Sequence, residues 1–114
     1  MLDKLYDRAI NIIAATPTCI LSTTGPAGLQ ASPVSCVVRD GSERRVFLLI
    51  PTTSDHLFNL EQQAKVVLAT ERWQLHGLAK IIQPGLYHYM VKVTPVRMQI
   101  EADGNSRHRE TIDF

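Results

Sequence analysis

Three consecutive hydroxyl side chains, Thr52, Thr53 and Ser54, mark the point of this sequence best suited to bind an anion. The apolar spacing that follows predicts a helix capped by Ser54 and running to about Gln63, with Asn59 on its outer side. A helix start presents free backbone N–H groups and a positive dipole end, and hydroxyl groups add further donors. The sequence therefore predicts a site for a phosphate group at residues 52–54.

The other residues capable of chemistry show no spacing typical of a metal site or a nucleophilic enzyme. The four histidines form no His-x-x-x-His pair, and the two cysteines, Cys19 and Cys36, form no Cys-x-x-Cys. The sequence contains neither a Gly-x-Ser-x-Gly elbow nor a Walker loop. We therefore predict no metal ligand. We expect both cysteines to be buried thiols, because they lie in apolar strand sequence and no export signal accompanies them.

Length and charge limit the classes of protein to which this chain can belong. Its 114 residues, 45% of them hydrophobic, are enough for one domain with one packed core. The net charge of +1 gives no general field for nucleic acid or anionic lipid, so we expect neither nucleic acid nor membrane as a partner. The charged first sixteen residues are unlike a signal peptide, and no apolar run approaches the ~20 residues of a membrane span. We expect a cytoplasmic location.

Hydrophobic periodicity predicts a mainly β domain, residues 1–114, that begins with a helix. An apolar stripe at helical spacing runs through residues 1–16, and Pro17 should end that helix. Alternating and β-branched segments predict six further strands around the helix of residues 54–63, with turns at residues 40–41 and 84–85. The strands are expected at residues 18–24, 29–39, 44–50, 65–70, 73–82 and 86–100. Residues 103–114 are predicted to form a polar C-terminal tail.

Three of the predicted strands depart from the pattern of a strand with one buried and one exposed face. Pro33 removes one ladder donor from the second strand, which indicates a bulge or an edge whose backbone is free. Residues 46–50 are apolar throughout, which predicts burial on both faces. The last strand also has apolar residues on both faces, so we expect either closure of a barrel or burial against a second subunit.

This order of elements resembles the pyridoxamine 5′-phosphate oxidase-like family of FMN-binding split β-barrels. The similarity covers about residues 5–100, and it implies a mainly β fold, a six-stranded antiparallel split barrel with short helices that forms a dimer. The residues that carry it are Ala31-Ser32-Pro33-Val34 on the second strand, Ser54 with Leu57 and Asn59-Leu60 on the inserted helix, Val66-Val67-Leu68 after it, and the pair Gly77 and Ala79.

The resemblance implies a homodimer that binds FMN in a groove between its subunits. The residues it places at the flavin are Ser35, Cys36 and Val37 beside the ring, Pro51, Thr52, Thr53, Ser54 and His56 at the ribityl and phosphate end, and Arg72 and Trp73 near the edge of the ring. A flavin performs hydride transfer itself, so the protein need only hold the ring, place donors near its polar edge and shape the substrate opening. The resemblance thus implies a flavin-dependent oxidoreductase acting on a small substrate that the sequence does not identify.

The sequence departs from the family pattern where the phosphate would bind. Many members have two basic residues after the helix-leading serine, and this chain has Asp55 and His56. A carboxylate facing the phosphate would reverse an interaction of about 4 kcal/mol, the value for unit charges about 4 Å apart at an effective dielectric near 20. Asp55 could instead turn away, and His56 could become protonated beside a phosphate. A replacement cation could come from one of four arginines: Arg39, Arg44, Arg45 and Arg72.

A second function stays open beside the oxidoreductase. The chain is short beside the full oxidases, whose C-terminal segment helps bind the pyridoxal substrate, so we do not expect vitamin B6 oxidation. The alternative is a non-catalytic dimeric barrel, a ligand-binding or sensor module that has lost FMN or binds haem or a deazaflavin. The basic group of residues 107–109 in the tail is expected to be solvated or to help close the cofactor groove.

Overall fold

The computed structural model describes residues 2–39, 45–102 and 105–114 of the chain. The elements within these residues are α1 (Leu2–Ala14), β1 (Thr18–Thr23), β2 (Gln30–Arg39), β3 (Arg45–Pro51), α2 (His56–Gln62), β4 (Lys65–Ala69), β5 (Trp73–Gln83), β6 (His88–Ala102) and β7 (Asn105–Asp113). Both helices and the first six strands agree with the predicted elements to within two residues at each end. The turn predicted at residues 40–41 lies outside the described residues.

Six antiparallel strands form a closed barrel. They are hydrogen-bonded in the order β3, β2, β1, β4, β5 and β6, and β3 pairs in turn with β6, from Val46 opposite Val93 to Pro51 opposite His88. This last pairing closes the sheet into a barrel, the first of the two alternatives predicted for the last strand, β6. With 59% strand and 17% helix, the chain has the mainly β, six-stranded architecture that the sequence predicts.

The inside of the barrel is filled by alternate residues of each strand. On β3, Val46, Leu48 and Ile50 are fully buried and point inward, Phe47 is also buried, and Leu49 is half-buried. The predicted burial of this strand on both faces is thus confirmed except at Leu49. A buried apolar side chain contributes about 1.5–3 kcal/mol to folding, so this strand is a main source of stability.

α1 covers the end of the barrel at which β1 begins, which we call the α1 end. Its apolar stripe buries Ala9, Ile10 and Ile13 in the common core. The helix stops where Pro17 follows, and the Thr16 hydroxyl donates a hydrogen bond of 2.9 Å to the carbonyl of Ile12. Neither helix in the described part of the chain has the length and apolar character needed to span a bilayer.

The segment predicted as a polar tail contains a seventh strand. β7 pairs with the second half of β6, from Asp113 opposite Arg97 to Asn105 opposite Ala102. Ile112 is only 3% exposed. The prediction failed here because Ile112 is the one buried residue among the five β7 side chains that the structure describes, residues 109–113, and this pattern is too sparse to indicate a strand.

Contacts from β7 to α1 hold this strand on the barrel. The ring of Phe114, just after β7, meets that of Tyr6 edge to face, with 5.5 Å between the ring centroids. Arg8 forms an ion pair with Glu110. The C-terminal segment therefore belongs to the packed domain.

Pro33 lies at a free edge of β2. It is opposite Ile20 of β1 in a continuous register, so the pairing of these two strands contains no bulge. On the other side, β3 pairs with β2 only from Ser35 onward. Within the described residues, the backbone edge of β2 before Ser35 therefore has no strand partner on that side, which agrees with the predicted free edge and not with a bulge.

Candidate functional site

The three hydroxyl side chains predicted to bind an anion lie in a turn between β3 and α2. We call residues 52–55 the hydroxyl turn. α2 has seven residues and begins at His56, two residues after the predicted start at Ser54. The hydroxyl oxygen of Ser54 accepts a hydrogen bond from the backbone N–H of His56 at 3.2 Å. Ser54 therefore supports the start of the helix without being its N-cap, a position that Asp55 occupies.

Two backbone amides of the hydroxyl turn are available to a ligand. The amides of Thr52 and Ser54 donate to carbonyl groups of the chain, each at 3.0 Å. No acceptor within the described residues is bonded to the amides of Thr53 and Asp55. Backbone N–H groups of a turn can form an anion-binding concavity even without a long helix behind them. The hydroxyl turn thus offers neutral donors to an anion, beside the Asp55 carboxylate.

His56 points away from the hydroxyl turn and into the protein. It is 2% exposed, and its Nδ1 lies 2.7 Å from the Thr23 hydroxyl, while its Nε2 lies 2.8 Å from the Ser32 hydroxyl. One arrangement of protons is consistent with all of these contacts. The Thr23 hydroxyl accepts a hydrogen bond from Asn59 and donates one to Nδ1 of His56. Nε2 then carries the ring proton and donates a hydrogen bond to the Ser32 hydroxyl. Burial lowers the pKa of His56, and the nearby Asp55 carboxylate opposes this shift. Both ring nitrogens of this predicted phosphate contact already have partners within the chain.

Asn59 is fully buried, whereas the sequence predicted it on the outer side of α2. Its side-chain amide donates to the hydroxyl of Thr23 at 3.0 Å and to the carbonyl of Gly28 at 2.8 Å, and its Oδ1 accepts from the amide of Ala27 at 2.9 Å. A Cβ at Gly25, where φ is +156°, would lie 2.8 Å from this same Oδ1. The asparagine therefore fastens α2 to the β1–β2 turn, residues 24–29. We call this end of the barrel the α2 end.

An apolar strip on the outside of the barrel leads to the hydroxyl turn. Ser35 of β2, Leu49 of β3 and Met90 of β6 lie side by side across the three strands, and Val37 is next to Ser35 on the same face. We call these four residues the outer strip. Val37 is 37% exposed, and β3 runs from Leu49 directly into the hydroxyl turn. Of the three residues predicted to flank a flavin ring, Ser35 and Val37 thus face outward, and Cys36 faces the core.

Arg72 and Trp73 lie at the α1 end, opposite the hydroxyl turn. Trp73 is 4% exposed, and its indole N–H donates to the Thr16 hydroxyl at 3.3 Å. Arg72 is exposed in the β4–β5 turn, where its carbonyl accepts a hydrogen bond from the amide of Glu101. The six residues of β1 that run from one end to the other correspond to about 17 Å. A single chain therefore does not bring these two predicted residues together with the hydroxyl turn.

A groove of about 650 Å³ lies beside Trp73 at the α1 end. Its charged residues are of both signs, because Arg8 and Arg72 stand beside Glu71 and Glu101. Arg8 is moreover paired with Glu110. This balance gives the groove no clear preference for an anion over a cation, so we do not place the phosphate there.

Both cysteines are free thiols; Cys19 is buried, as the sequence predicts, whereas Cys36 is only half-buried. Across residues 2–39, 45–102 and 105–114, no three side chains of His, Cys, Asp or Glu come together in a group that could hold a metal ion. Sequence reasoning missed the buried roles of His56 and Asn59. The one signal for them was two polar residues spaced three apart on a short helix, a spacing that also suits an exposed face.

The same fold occurs in solved structures with very different sequences. General stress protein 26 from Bacillus anthracis str. Sterne has a TM-score of 0.71 and 13% identity, over 96% of this chain and 98% of that one. A NimC/NimA family protein from Clostridium acetobutylicum has a TM-score of 0.70 and 12% identity, over 95% of this chain and 91% of that one. These similarities establish the split-barrel fold that the sequence predicts.

Comparison of the sequence itself gives no relative. It matches no protein-family model, and it matches no curated protein. Membership of the pyridoxamine 5′-phosphate oxidase-like family therefore stays a prediction from the residues, beside a fold that is established.

Proposed function

We propose that two copies of this barrel bind FMN in a cleft between them and act as a flavin-dependent oxidoreductase on a small molecule. The observation that carries the proposal is the continuity of the outer strip with the hydroxyl turn. The strip offers an apolar surface of the kind that a flat ring needs, and the turn offers free amide donors of the kind that a phosphate needs. Bound FMN would supply hydride transfer, so the chain's task is to hold and orient it.

The ring end of the proposed site rests on β2 and β3. Val37 and Leu49 present apolar side chains outward, and each Å² of apolar surface that the ring covers contributes about 25 cal/mol. In the part of the chain that the structure describes, no strand pairs with the backbone edge of β2 before Ser35 on the β3 side, so this edge can meet the polar edge of a ring. Both features belong to the fold itself and require no charged side chain.

The phosphate end of the proposed site rests on neutral donors. The amides of Thr53 and Asp55 and the hydroxyl hydrogen of Ser54 are the donors that this turn offers to an anion. His88 is exposed opposite Pro51, immediately before the turn, and would add a charge when protonated. The Asp55 carboxylate would weaken phosphate binding unless it turns to solvent, which its exposed position allows.

The second copy in the proposal has two supports. Arg72 is at the end of the barrel opposite the hydroxyl turn, so it could contact the same FMN only from a partner subunit. In addition, Leu78 and Val96 are 44% and 46% exposed, and they line an apolar groove of about 520 Å³ on the outer face of β4 and β5. Exposed apolar surface of this kind is typical of protein interfaces. A dimer of 12.8-kDa chains is expected by light scattering.

Titration of the protein with FMN tests the proposal. We expect quenching of flavin fluorescence with a dissociation constant in the low micromolar range, and Val37→Glu should weaken it at least tenfold by placing a charge under the ring. Thr111→Glu is the matched control, because Thr111 is exposed on β7 opposite Gln99, nine residues along β6 from Met90 of the outer strip. Because neutral amides hold the phosphate, we expect affinity to change less than about twofold between 0.05 and 0.5 M salt. No binding at high micromolar FMN, or equal losses in the two variants, would overturn the proposal.

The hydrogen bonds of His56 favour a second candidate, a dimeric barrel that binds a ligand without catalysis. Both ring nitrogens of His56 are hydrogen-bonded within the chain, and its neighbour Asp55 is acidic. The hydroxyl turn therefore lacks the two cations that many members of the family that the sequence resembles have there. Such a barrel could have lost FMN or could hold haem or a deazaflavin. The absorbance spectrum of the purified protein separates these ligands, and binding without any NAD(P)H oxidation would select this candidate over the oxidoreductase.

A further inference from the structure

The two cysteines of the chain meet inside the barrel. Cys19 of β1 and Cys36 of β2 lie with their Sγ atoms 2.7 Å apart. The strands are joined at this point by a hydrogen bond from the amide of Cys36 to the carbonyl of Pro17 at 2.9 Å. A disulfide requires about 2.05 Å between the sulfur atoms, so the two are within about 0.7 Å of bonding distance on strands that are already paired.

We propose that Cys19 and Cys36 form a dithiol redox site that reduces a peroxide and closes to an intramolecular disulfide. In the first step the Cys36 thiolate attacks the peroxide, one oxygen atom is transferred to the sulfur, and the alcohol or water leaves with a proton, giving a Cys36 sulfenic acid. In the second step the Cys19 sulfur displaces the sulfenic hydroxyl group as water, and the disulfide forms. The two thiols lose two electrons and two protons, and the peroxide is reduced by two electrons.

The surroundings of the pair assign these roles. Cys36 is the more exposed of the two, so a small peroxide reaches it first. The two sulfur atoms are within hydrogen-bond distance, and either thiol can donate. With Cys19 as the donor, the bond lowers the pKa of Cys36 and favours its thiolate. The same hydrogen bond, followed by burial, raises the pKa of Cys19, so this residue stays a protonated thiol until it resolves the sulfenic acid. Redox-active cysteines typically have a low pKa, are accessible to the oxidant, and lie beside a second thiol that converts the sulfenic acid to a disulfide.

This inference is independent of the proposed flavin site. Cys36 lies between Ser35 and Val37 of the outer strip, but its side chain packs toward the core and theirs face outward. Oxidation of the pair can therefore be measured on protein without flavin, and its failure would leave the flavin proposal untouched.

The experiment treats the full chain with hydrogen peroxide and follows its thiols and its intact mass. We expect both thiols to disappear together, a mass lower by about 2 Da, and recovery of both thiols with dithiothreitol. The oxidised form should unfold about 10 °C higher, because the new bond closes a loop of about 17 residues. Thiols that persist in millimolar peroxide, oxygen added without pairing, or disulfides between chains would overturn the proposal.

Two variants assign the roles within the pair. In Cys19→Ser, Cys36 should stop at the sulfenic acid, with a mass about 16 Da higher and trapping by dimedone. In Cys36→Ser, the buried Cys19 should react at least tenfold more slowly than Cys36 does in Cys19→Ser. Equal reactivity of the two single thiols would contradict the assignment of Cys36 as the attacking residue. Circular dichroism of each variant before treatment confirms that the comparison is made on folded protein.

Discussion

Replacing Asn59 by alanine should release α2 from the β1–β2 turn. The side chain makes three hydrogen bonds from a fully buried position, and two of its partners, the amide of Ala27 and the carbonyl of Gly28, have no other acceptor or donor among the bonds described above. At about 1 kcal/mol net for each, their loss amounts to about 3 kcal/mol. Alanine is the better helix former by about 0.5 kcal/mol. We therefore expect Asn59→Ala to lower the free energy of unfolding by about 2.5 kcal/mol.

Thermal unfolding makes this estimate measurable. An unfolding entropy of about 2.1 cal/mol/K per residue corresponds to roughly 0.24 kcal/mol/K for 114 residues, so the midpoint should fall by about 10 °C. Gln62→Ala is the matched control, because Gln62 lies on the same helix with its side chain exposed, and it should change the midpoint by about 2 °C or less.

Amide hydrogen exchange gives a local test of the same reasoning. In Asn59→Ala, the amide of Ala27 loses its acceptor, so its protection should fall by more than that of the amides in the β4–β5 ladder. If the midpoint falls no further than in Gln62→Ala and Ala27 keeps its protection, Asn59 does not hold the turn, and the account of how α2 is positioned is wrong.

Three more substitutions test the site and the fold. Burial lowers the pKa of His56 in the folded chain, so the free energy of unfolding should decrease as the pH falls below about 6.5. The decrease should be at most about 1.4 kcal/mol per pH unit. Urea titrations at pH values from 8 to 5 measure it. His56→Gln should abolish this pH-dependent decrease in the free energy of unfolding, and the control His88→Gln, at an exposed position, should retain it. Gly77→Ala should cost about 1–3 kcal/mol in the same titrations, because its Cβ would lie 2.7 Å from Cγ1 of Val93. Ile112→Ala should cost about 2–4 kcal/mol, and a loss under 0.5 kcal/mol would show that the C-terminal segment is the predicted tail after all.

The barrel could be predicted from the sequence because its strands alternate cleanly. Residues such as Leu48 and Ile50 leave little choice of inner face, and Pro33 and Gly85 interrupt the pattern where the pairing or the chain direction changes. β7 could not be predicted, because Ile112 is the one buried residue among its described side chains, residues 109–113. A strand added to the outside of a closed barrel needs few apolar residues, so its pattern is weak.

The sequence predicted which types of residue form the candidate site, but not where their side chains point. Hydroxyl groups at residues 52–54 indicated an anion site, but polarity alone could not tell that Asn59 faces the interior, because a buried amide becomes favourable only when three partners surround it. Those partners are Thr23 at the end of β1 and Ala27 and Gly28 in the β1–β2 turn, some thirty residues earlier in the chain. In the same way, the separation of Arg72 from the hydroxyl turn follows from the strand order, which local sequence does not contain.

Asp55 and His56 stand where the family that the sequence resembles often has two basic residues, and they determine how the hydroxyl turn can hold a ligand. His56 is committed to Thr23 and Ser32, and its lowered pKa keeps it neutral near pH 7, so it brings no positive charge to the hydroxyl turn. His56 instead positions α2, because its hydrogen bonds to β1 and β2 hold the start of this helix against the free edge of β2. Amides that are already fixed lose little entropy when they bind, which compensates in part for the missing cations. In the proposed cleft between two copies, specificity should then come from shape more than from charge, so we expect a neutral ring with a small anionic tail to bind better than a highly charged ligand does.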